Sequence, residues 1–180
     1  MQRIYLLRHG QSQNNAHKIV SGLTETPLTE LGKQQAETAG VMARALDIDL
    51  IVCSPLGRAK ETAKLVAKQI GYPESEIKVM KGLAERELGN LEGMSYAKNE
   101  RLNGNFPAVE HIYGVEPLPQ FYSRVQHALR RILQDKTHHT VLIVSHQGVG
   151  RMLRTIAEGK PPHAMYDQTH LANATLYPLL

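Results

Sequence analysis

At 180 residues, 42% hydrophobic and 21% charged, the chain is read as a single domain over 1–180 with a sizeable core, and no apolar stretch is long enough to span a bilayer. Lys plus Arg number 21 against 17 Asp plus Glu, and the resulting formal charge of +4 is scattered, with no basic run. The absence of Trp and the presence of only two Phe leave few stacking platforms, which argues against a nucleic-acid partner; a positive pocket for a small anionic substrate accounts for the balance.

The chain begins Met1-Gln2-Arg3 and enters an apolar strand, Ile4 to Leu7, that ends in Arg8-His9-Gly10. That start leaves no room for a signal peptide, and the expected location is the cytoplasm. A polar, Gly-containing loop then runs to Leu28. A helix is predicted from Thr29 to about Leu46: Thr29 caps it, Pro27 blocks earlier entry, and Leu31, Ala36, Ala39, Met42, Ala43 and Leu46 approximate one apolar face. The next strand, Leu50–Cys53, carries the one cysteine, so neither an internal disulfide nor a cysteine-rich zinc site can form. Ser54-Pro55 is read as a helix start, with Ser as cap and Pro in the first helical position. That helix carries Arg58 in its first turn and runs to about Ile70, with Ala63, Val66, Ala67 and Ile70 inward.

Ile77–Met80 reads as a short strand. Glu85 to Gly114 holds several Gly and Asn and is read as a long functional loop with one helix near Tyr96–Leu102. Phe121, Val125, Leu129, Ile132 and Leu133 set a helical period over Leu118 to Leu133. Val141–Val144 is fully apolar, as in a buried parallel strand, and ends in Ser145-His146-Gln147-Gly148. A helix from about Val149 to Ala157 and a strand near Ala174–Tyr177 complete an alternation that predicts an α/β fold, a three-layer α/β/α sandwich.

Three of these strands end on groups suited to phosphate: Arg8-His9, Ser54-Pro55 with Arg58 beyond, and Ser145-His146. Ligands of open α/β sheets bind beyond the carboxyl ends of parallel strands, so two arginines and two histidines are expected at one edge. A guanidinium beside an imidazole disfavours a metal there and favours an anion held by the Arg fork. The loop after Gly10 is expected to bring Asn15 and Ser21-Gly22 over the bound group as neutral donors. Other phosphate chemistries fit less well. Cys53 and Arg58 stand one residue too close for a cysteine-dependent phosphatase, Pro55 lacks an N–H for such a cradle, and Cys53 reads as a buried strand residue. Pro27 stands where a Walker loop ending in Gly32-Lys33 needs Gly. His127, His138-His139, His163 and His170 show no metal-ligand pattern and are read as surface residues.

Leu7-Arg8-His9-Gly10-Gln11-Ser12 through Asn15 resembles the signature of the histidine phosphatase superfamily, the phosphoglycerate mutase-like clan. Further blocks match in order: Ser21-Gly22 before Pro27-Leu28-Thr29; Ser54-Pro55 with Arg58-Ala59 and Glu61-Thr62-Ala63; Leu83 with Glu85, Gly89 and Glu92-Gly93; and Ser145-His146. The match covers nearly the whole chain. The resemblance implies a mixed, mainly parallel sheet flanked by helices, no metal and no cofactor. It also implies a phosphomonoester hydrolase in which His9 takes the phosphoryl group. Arg8, Arg58 and His146 would surround its oxygens, and Glu85 would give a proton to the leaving oxygen, then take one from water. Glu87 competes for that acid role, and motif position favours Glu85.

These implied roles are chemically coherent. Phosphoryl transfer needs in-line positioning and neutralised oxygens, and Arg8, Arg58 and the N–H groups of the helix after Ser54-Pro55 supply both. His9 must attack as neutral imidazole, which a nearby guanidinium favours. Like-charge repulsion from an entering dianion is expected to protonate Glu85. Gln11-Ser12 stand where the family often has Glu-Thr, which removes one carboxylate near the pocket. Gln147-Gly148 stand where many members have Gly-Gly, so a side chain at 147 is expected to narrow the pocket or touch the substrate. Gly114, Val115, Glu116 and Pro117 replace a Gly-Glu-Ser element, which leaves Glu116 without an assigned role. Glu92 is read as tying its loop to backbone donors, and Arg86 as either a substrate contact or half of a surface pair.

The expectation is a cofactor-independent phosphatase acting on a small-molecule phosphomonoester, with no nucleic-acid or membrane partner and homo-oligomerisation left open. One alternative is a cofactor-dependent phosphoglycerate mutase. Its longer insertions are missing, and Leu88 follows Glu85-Arg86-Glu87 where such mutases have Tyr. The other is a non-catalytic anion-binding domain. Specificity is assigned to the loop from Glu92 to Glu116 and to Gln147, and no particular substrate is legible.

Overall fold

A computed structural model describes residues 2–96 and 111–180. Its strands are β1 (Arg3–Arg8), β2 (Leu50–Cys53), β3 (Lys78–Val79), β4 (Thr140–Ser145) and β5 (Leu176–Pro178). They form one sheet in the order β3-β2-β4-β1-β5. The β1–β4, β2–β4 and β2–β3 pairs are parallel, and β5 runs antiparallel on β1. The described helices are α1 (Gln13–Ala16), α2 (Glu30–Ala43), α3 (Gly57–Ile70), α4 (Leu118–Gln134) and α5 (Gln147–Ala157). None is long and apolar enough to cross a membrane.

β2 and β4 are buried at every residue, which is why both read as unbroken apolar runs. Successive side chains point to opposite faces and meet different helices. Ile4, Val52 and Ile143 join Phe121 and Val125 of α4 and Met152 and Leu153 of α5. Leu7, Ile51, Cys53 and Val144 join Ala39 and Ala43 of α2 and Ala59 and Val66 of α3. The result is the expected α/β fold with a mixed, mainly parallel sheet between helical layers.

Several local expectations need correction. The buried face of α2 is Gly32, Ala36, Ala39, Gly40 and Ala43, while Leu31 and Met42 are exposed. Close packing on α3 selects the small residues: a Cβ on Gly40 would strike Gln69 and crowd Val66. α3 begins at Gly57, with Leu56 in the cap position and no side-chain cap. The Ser54 hydroxyl instead accepts from the Leu56 N–H (3.2 Å) in the preceding turn and meets His146 Nε2 (2.6 Å). The last strand starts at Leu176, because Ala174 adopts a left-handed turn (φ +45°) and its N–H bonds to Arg8 O (2.8 Å). β3 is only two residues long. Beyond Tyr96, the helix expected near Tyr96–Leu102 lies outside the described residues.

Register places the site. Arg8 pairs with Ser145 and Cys53 with Val144, so β1, β4 and β2 end within one residue of each other. The first residues past those ends, His9, His146 and Ser54, therefore leave the sheet at one edge. His9 N–H bonds to Ser145 O (2.9 Å) and Ser54 N–H to Val144 O (3.0 Å).

Candidate active site

Arg8, His9, Asn15, Ser21, Gly22, Arg58, Glu85 and Gln147 line one cleft of about 600 Å³ at that edge. A groove of about 700 Å³ between β3 and α4 holds none of them. His9 is buried, and its Nδ1 lies 2.7 Å from Gly10 O. A carbonyl only accepts, so Nδ1 carries the proton and Nε2 keeps its lone pair, which receives Arg58 Nε–H at 3.2 Å. Burial first, then the Arg58 and Arg8 guanidiniums, hold the imidazole well below its ordinary pKa and leave it neutral near pH 7.

Arg58 is 2% exposed and makes three bonds: Nε–H to His9, Nη1–H to Thr24 O (2.9 Å) and Nη2–H to Gly22 O (2.7 Å). It thus fixes the loop over the cleft as well as the ring below it. Glu92 holds the same loop from outside, accepting from the N–H groups of Leu23, Thr24 and Leu88 (2.9, 2.9 and 3.1 Å), as expected of it. Gly22 (φ +51°) faces that carboxylate with no room for a Cβ. Arg8 donates through Nη1 to His170 Nε2 (3.0 Å) and Leu171 O (2.9 Å). Asn15 stands in the capping box of α1 with Ser12, and its Oδ1 accepts from Asn173 Nδ2 (3.3 Å), which also donates to His9 O (2.8 Å).

His146 does not line the cleft. It sits one layer deeper, its ring edge-on to that of His9 at 5.2 Å between centroids. Burial, then Arg58 and His9, push its pKa well below the ordinary value too.

Glu85 is held at the start of α5. Its Oε2 accepts from Gly148 N–H (3.0 Å) and its Oε1 from Arg86 N–H (2.9 Å). A Cβ at 148 would collide with Oε1, whereas the side chain at 147 turns to the Leu171 N–H (3.0 Å). That explains why Gln147-Gly148 departs from Gly-Gly at its first residue and not its second. Behind Glu85, Arg124 uses all five donors: Nη1 to Gly82 O and Ala84 O (3.0 and 2.7 Å), Nη2 to Glu85 O (2.8 Å), and Nε with Nη2 to both Glu116 oxygens (2.6 and 2.8 Å). Glu116 therefore anchors the frame of the Glu85 turn. Glu87 is exposed and away from the cleft. Arg86 is buried, with its guanidinium on Glu116 O (2.9 and 2.6 Å) and Tyr166 OH (2.9 Å), so it is no surface pair.

Two further expectations are corrected. The first N–H of α3, on Gly57, goes to the Glu25 carboxylate (3.0 and 3.1 Å) and is not free for an anion. Gln11 Oε1 accepts from the Thr29 hydroxyl at the α2 cap (2.9 Å) and does not line the cleft, so the exchange there removes no charge from it. His170 is exposed, as read, and also belongs to the cleft rim through Arg8. Cys53 is a buried strand residue, as read, and burial pushes its thiol up to about 11. Sequence reasoning missed Arg124, Arg151 and Asn173. The two arginines sit among polar helical residues that look solvated, and Asn173 lies in irregular chain with no neighbouring pattern. Among the described residues no group of three or more His, Cys, Asp or Glu is placed to hold a metal ion.

Residues 4–180 match the family model of the histidine phosphatase superfamily, branch 1. A Bacillus subtilis protein named uncharacterized phosphatase PhoE is 32% identical over 177 residues, covering 98% of this chain and 86% of that one. A Salmonella paratyphi A protein named probable phosphoglycerate mutase GpmB is 33% identical over 166 residues, covering 87% and 75%. The solved alpha-ribazole phosphatase of Shigella flexneri superposes with a TM-score of 0.83 at 27% identity, covering 98% of this chain and 89% of that one.

Proposed function

Because the chain belongs to the histidine phosphatase superfamily, we propose that it hydrolyses phosphomonoesters through a phosphohistidine at His9, without a metal or cofactor. The observation that carries this reading is the state of His9. It is a neutral imidazole anchored through Nδ1, with its Nε2 lone pair turned to Arg58 in a cleft also lined by Arg8 and Glu85.

The substrate's dianion enters between Arg8 and Arg58, whose charge is costly to bury without a counter-ion. Nε2 exchanges its bond from Arg58 for phosphorus and forms the P–N bond as the ester P–O bond breaks in line. Glu85 passes a proton to the departing oxygen, so an alcohol leaves. Glu85 then takes a proton from water as its oxygen attacks phosphorus; the P–N bond breaks, and inorganic phosphate and neutral His9 are restored. Asn15, Ser21 and Gly22 cover the oxygens, while His146 backs the nucleophile and keeps the floor dry.

Steady release of phosphate from p-nitrophenyl phosphate in chelator tests the proposal, together with acid-labile, alkali-stable phosphate trapped on the protein by rapid quench. His9→Ala is expected to remove the trapped intermediate and to lower turnover by about 10⁴-fold or more. The GpmB name suggests a second reading. A phosphoryl group that stays on His9 and returns to another hydroxyl of the alcohol, with no net phosphate release, identifies a mutase. Phosphate binding without any turnover identifies an anion-binding domain and ends the proposal.

A further inference from the structure

Arg151 is a cation in the cleft that the chemistry at His9 leaves unused. It lies on α5 four residues after Gln147, so the two side chains share one face of the helix, one turn apart, and both line the cleft. Gln147 Oε1 is fixed by Leu171 N–H (3.0 Å), which sets the direction of its Nε2; that nitrogen is closed off from water and has no partner. Arg151 Nε is in the same condition, and no ion pair or hydrogen bond engages the guanidinium among the described residues. Burial depresses its pKa, opposed only by the charge of Glu85.

The plain alternative is a charge on a solvated helix face. Arg154, one turn further along, shows what that looks like here: it bonds Thr169 (2.8 Å) and lies over the Tyr177 ring at 4.7 Å. Buried donors are normally satisfied; both residues line the cleft while these two nitrogens lie just beneath its surface, so a small shift of either side chain toward an anion in the cleft would supply the missing acceptor.

We infer that the substrate is a phosphomonoester whose alcohol carries a second anionic group, a carboxylate or another phosphate, seated on Gln147 and Arg151. This rests on the phosphatase reading, because Arg8 and Arg58 are committed there to the reacting phosphate. A second anion at Arg151 touches no reacting atom; it orients the ester and supplies remote binding energy.

The test compares wild type, Arg151→Met and Arg151→Lys on phenyl phosphate, on its ortho-, meta- and para-carboxylated forms, and on phenylene bisphosphates. Taking each variant-to-wild-type ratio of kcat/KM cancels the reactivity of the leaving group. Arg151→Met is expected to lose about 10–100-fold more on at least one doubly anionic ester than on phenyl phosphate, mostly in KM, with partial rescue by Lys. The series that carries the loss names the anion. Equal loss across the panel would show that Arg151 acts through Glu85 and would overturn the inference, as would equal retention. Absence of turnover on every ester would instead overturn the phosphatase reading beneath it.

Discussion

The floor of the cleft and its α5 wall differ in how their arginines are held. On the floor, the ends of β1, β2 and β4 bring His9, Ser54 and His146 together, and Arg58 ties ring and loop with three bonds. Orphaned buried atoms occur on both sides, Arg8 Nε and His146 Nδ1 at the floor and Gln147 Nε2 and Arg151 Nε on the wall; what differs is that Arg58 is bonded in place while nothing engages the Arg151 guanidinium among the described residues. The proposed chemistry gives this difference a sense. The floor meets the phosphoryl group, which every phosphomonoester shares, so its dipoles can be fixed in advance and need no reorganisation during reaction. The wall meets the part that varies between esters, and its donors wait for a particular acceptor.

A prebuilt floor requires Arg58 to be more than a point charge for phosphate. Arg58→Ala is expected to lower kcat/KM by about 10²–10³, as for loss of one charge-stabilising donor. Arg58→Lys is expected to recover only a small part, since one ammonium cannot reach His9 Nε2 and the carbonyls of Gly22 and Thr24 together. Full recovery by Lys, measured on p-nitrophenyl phosphate, would reduce Arg58 to its charge and remove the prebuilt floor from the argument.

The floor was legible in the sequence and the wall was not, for physical reasons. β2 and β4 are buried on both faces, so their apolar runs announce parallel strands, and the residues just past them fall at the ligand edge. His9, Arg58 and His146 were found that way. Ser54 was misread because its hydroxyl is claimed by His146, 92 residues away, and no local rule for caps contains that contact. The stripe on α2 was misplaced because helix packing chose the small residues over Leu31 and Met42. Arg124 and Arg151 share composition and spacing with ordinary solvated helix charges; only the turn facing Arg124 and the cleft facing Arg151 set them apart. Glu92 was legible in kind, as a carboxylate that ties its loop to backbone donors.

The frame behind Glu85 is a smaller test, since Arg124 there has all five donors bonded. Arg124→Met removes the fork that holds the carbonyls of Gly82, Ala84 and Glu85, and it leaves the Glu116 carboxylate largely buried without its cation. In the proposed mechanism Arg124 acts by positioning Glu85, so kcat is expected to fall about 10–100-fold with KM nearly unchanged. Urea unfolding is expected to show a loss of about 2–4 kcal/mol. Adding Glu116→Gln is expected to return part of that stability, because the stranded charge is gone, without returning kcat. Recovery of kcat in the double variant would move the role from the Glu85 turn to the ion pair itself.

The smallest effect tests whether the floor is dry. His9 and His146 lie well below the ordinary imidazole pKa, chiefly through burial and next through Arg58. In the unfolded chain both rings take up protons as pH falls through about 6.5. Above that value neither form binds a proton, so the rings add no pH dependence. Below it the unfolded chain gains protons that the fold refuses, and stability falls by about 1.4 kcal/mol per pH unit for each ring kept neutral. Urea unfolding of wild type and of His9→Gln, whose amide takes no proton, isolates one ring. The two stability curves are expected to run parallel above pH 6.5, and below it wild type is expected to lose about 1.4 kcal/mol more per unit than the variant. Curves that stay parallel into acid would mean that His9 protonates inside the folded protein. The nucleophile would then sit in water, and the floor would not be dry.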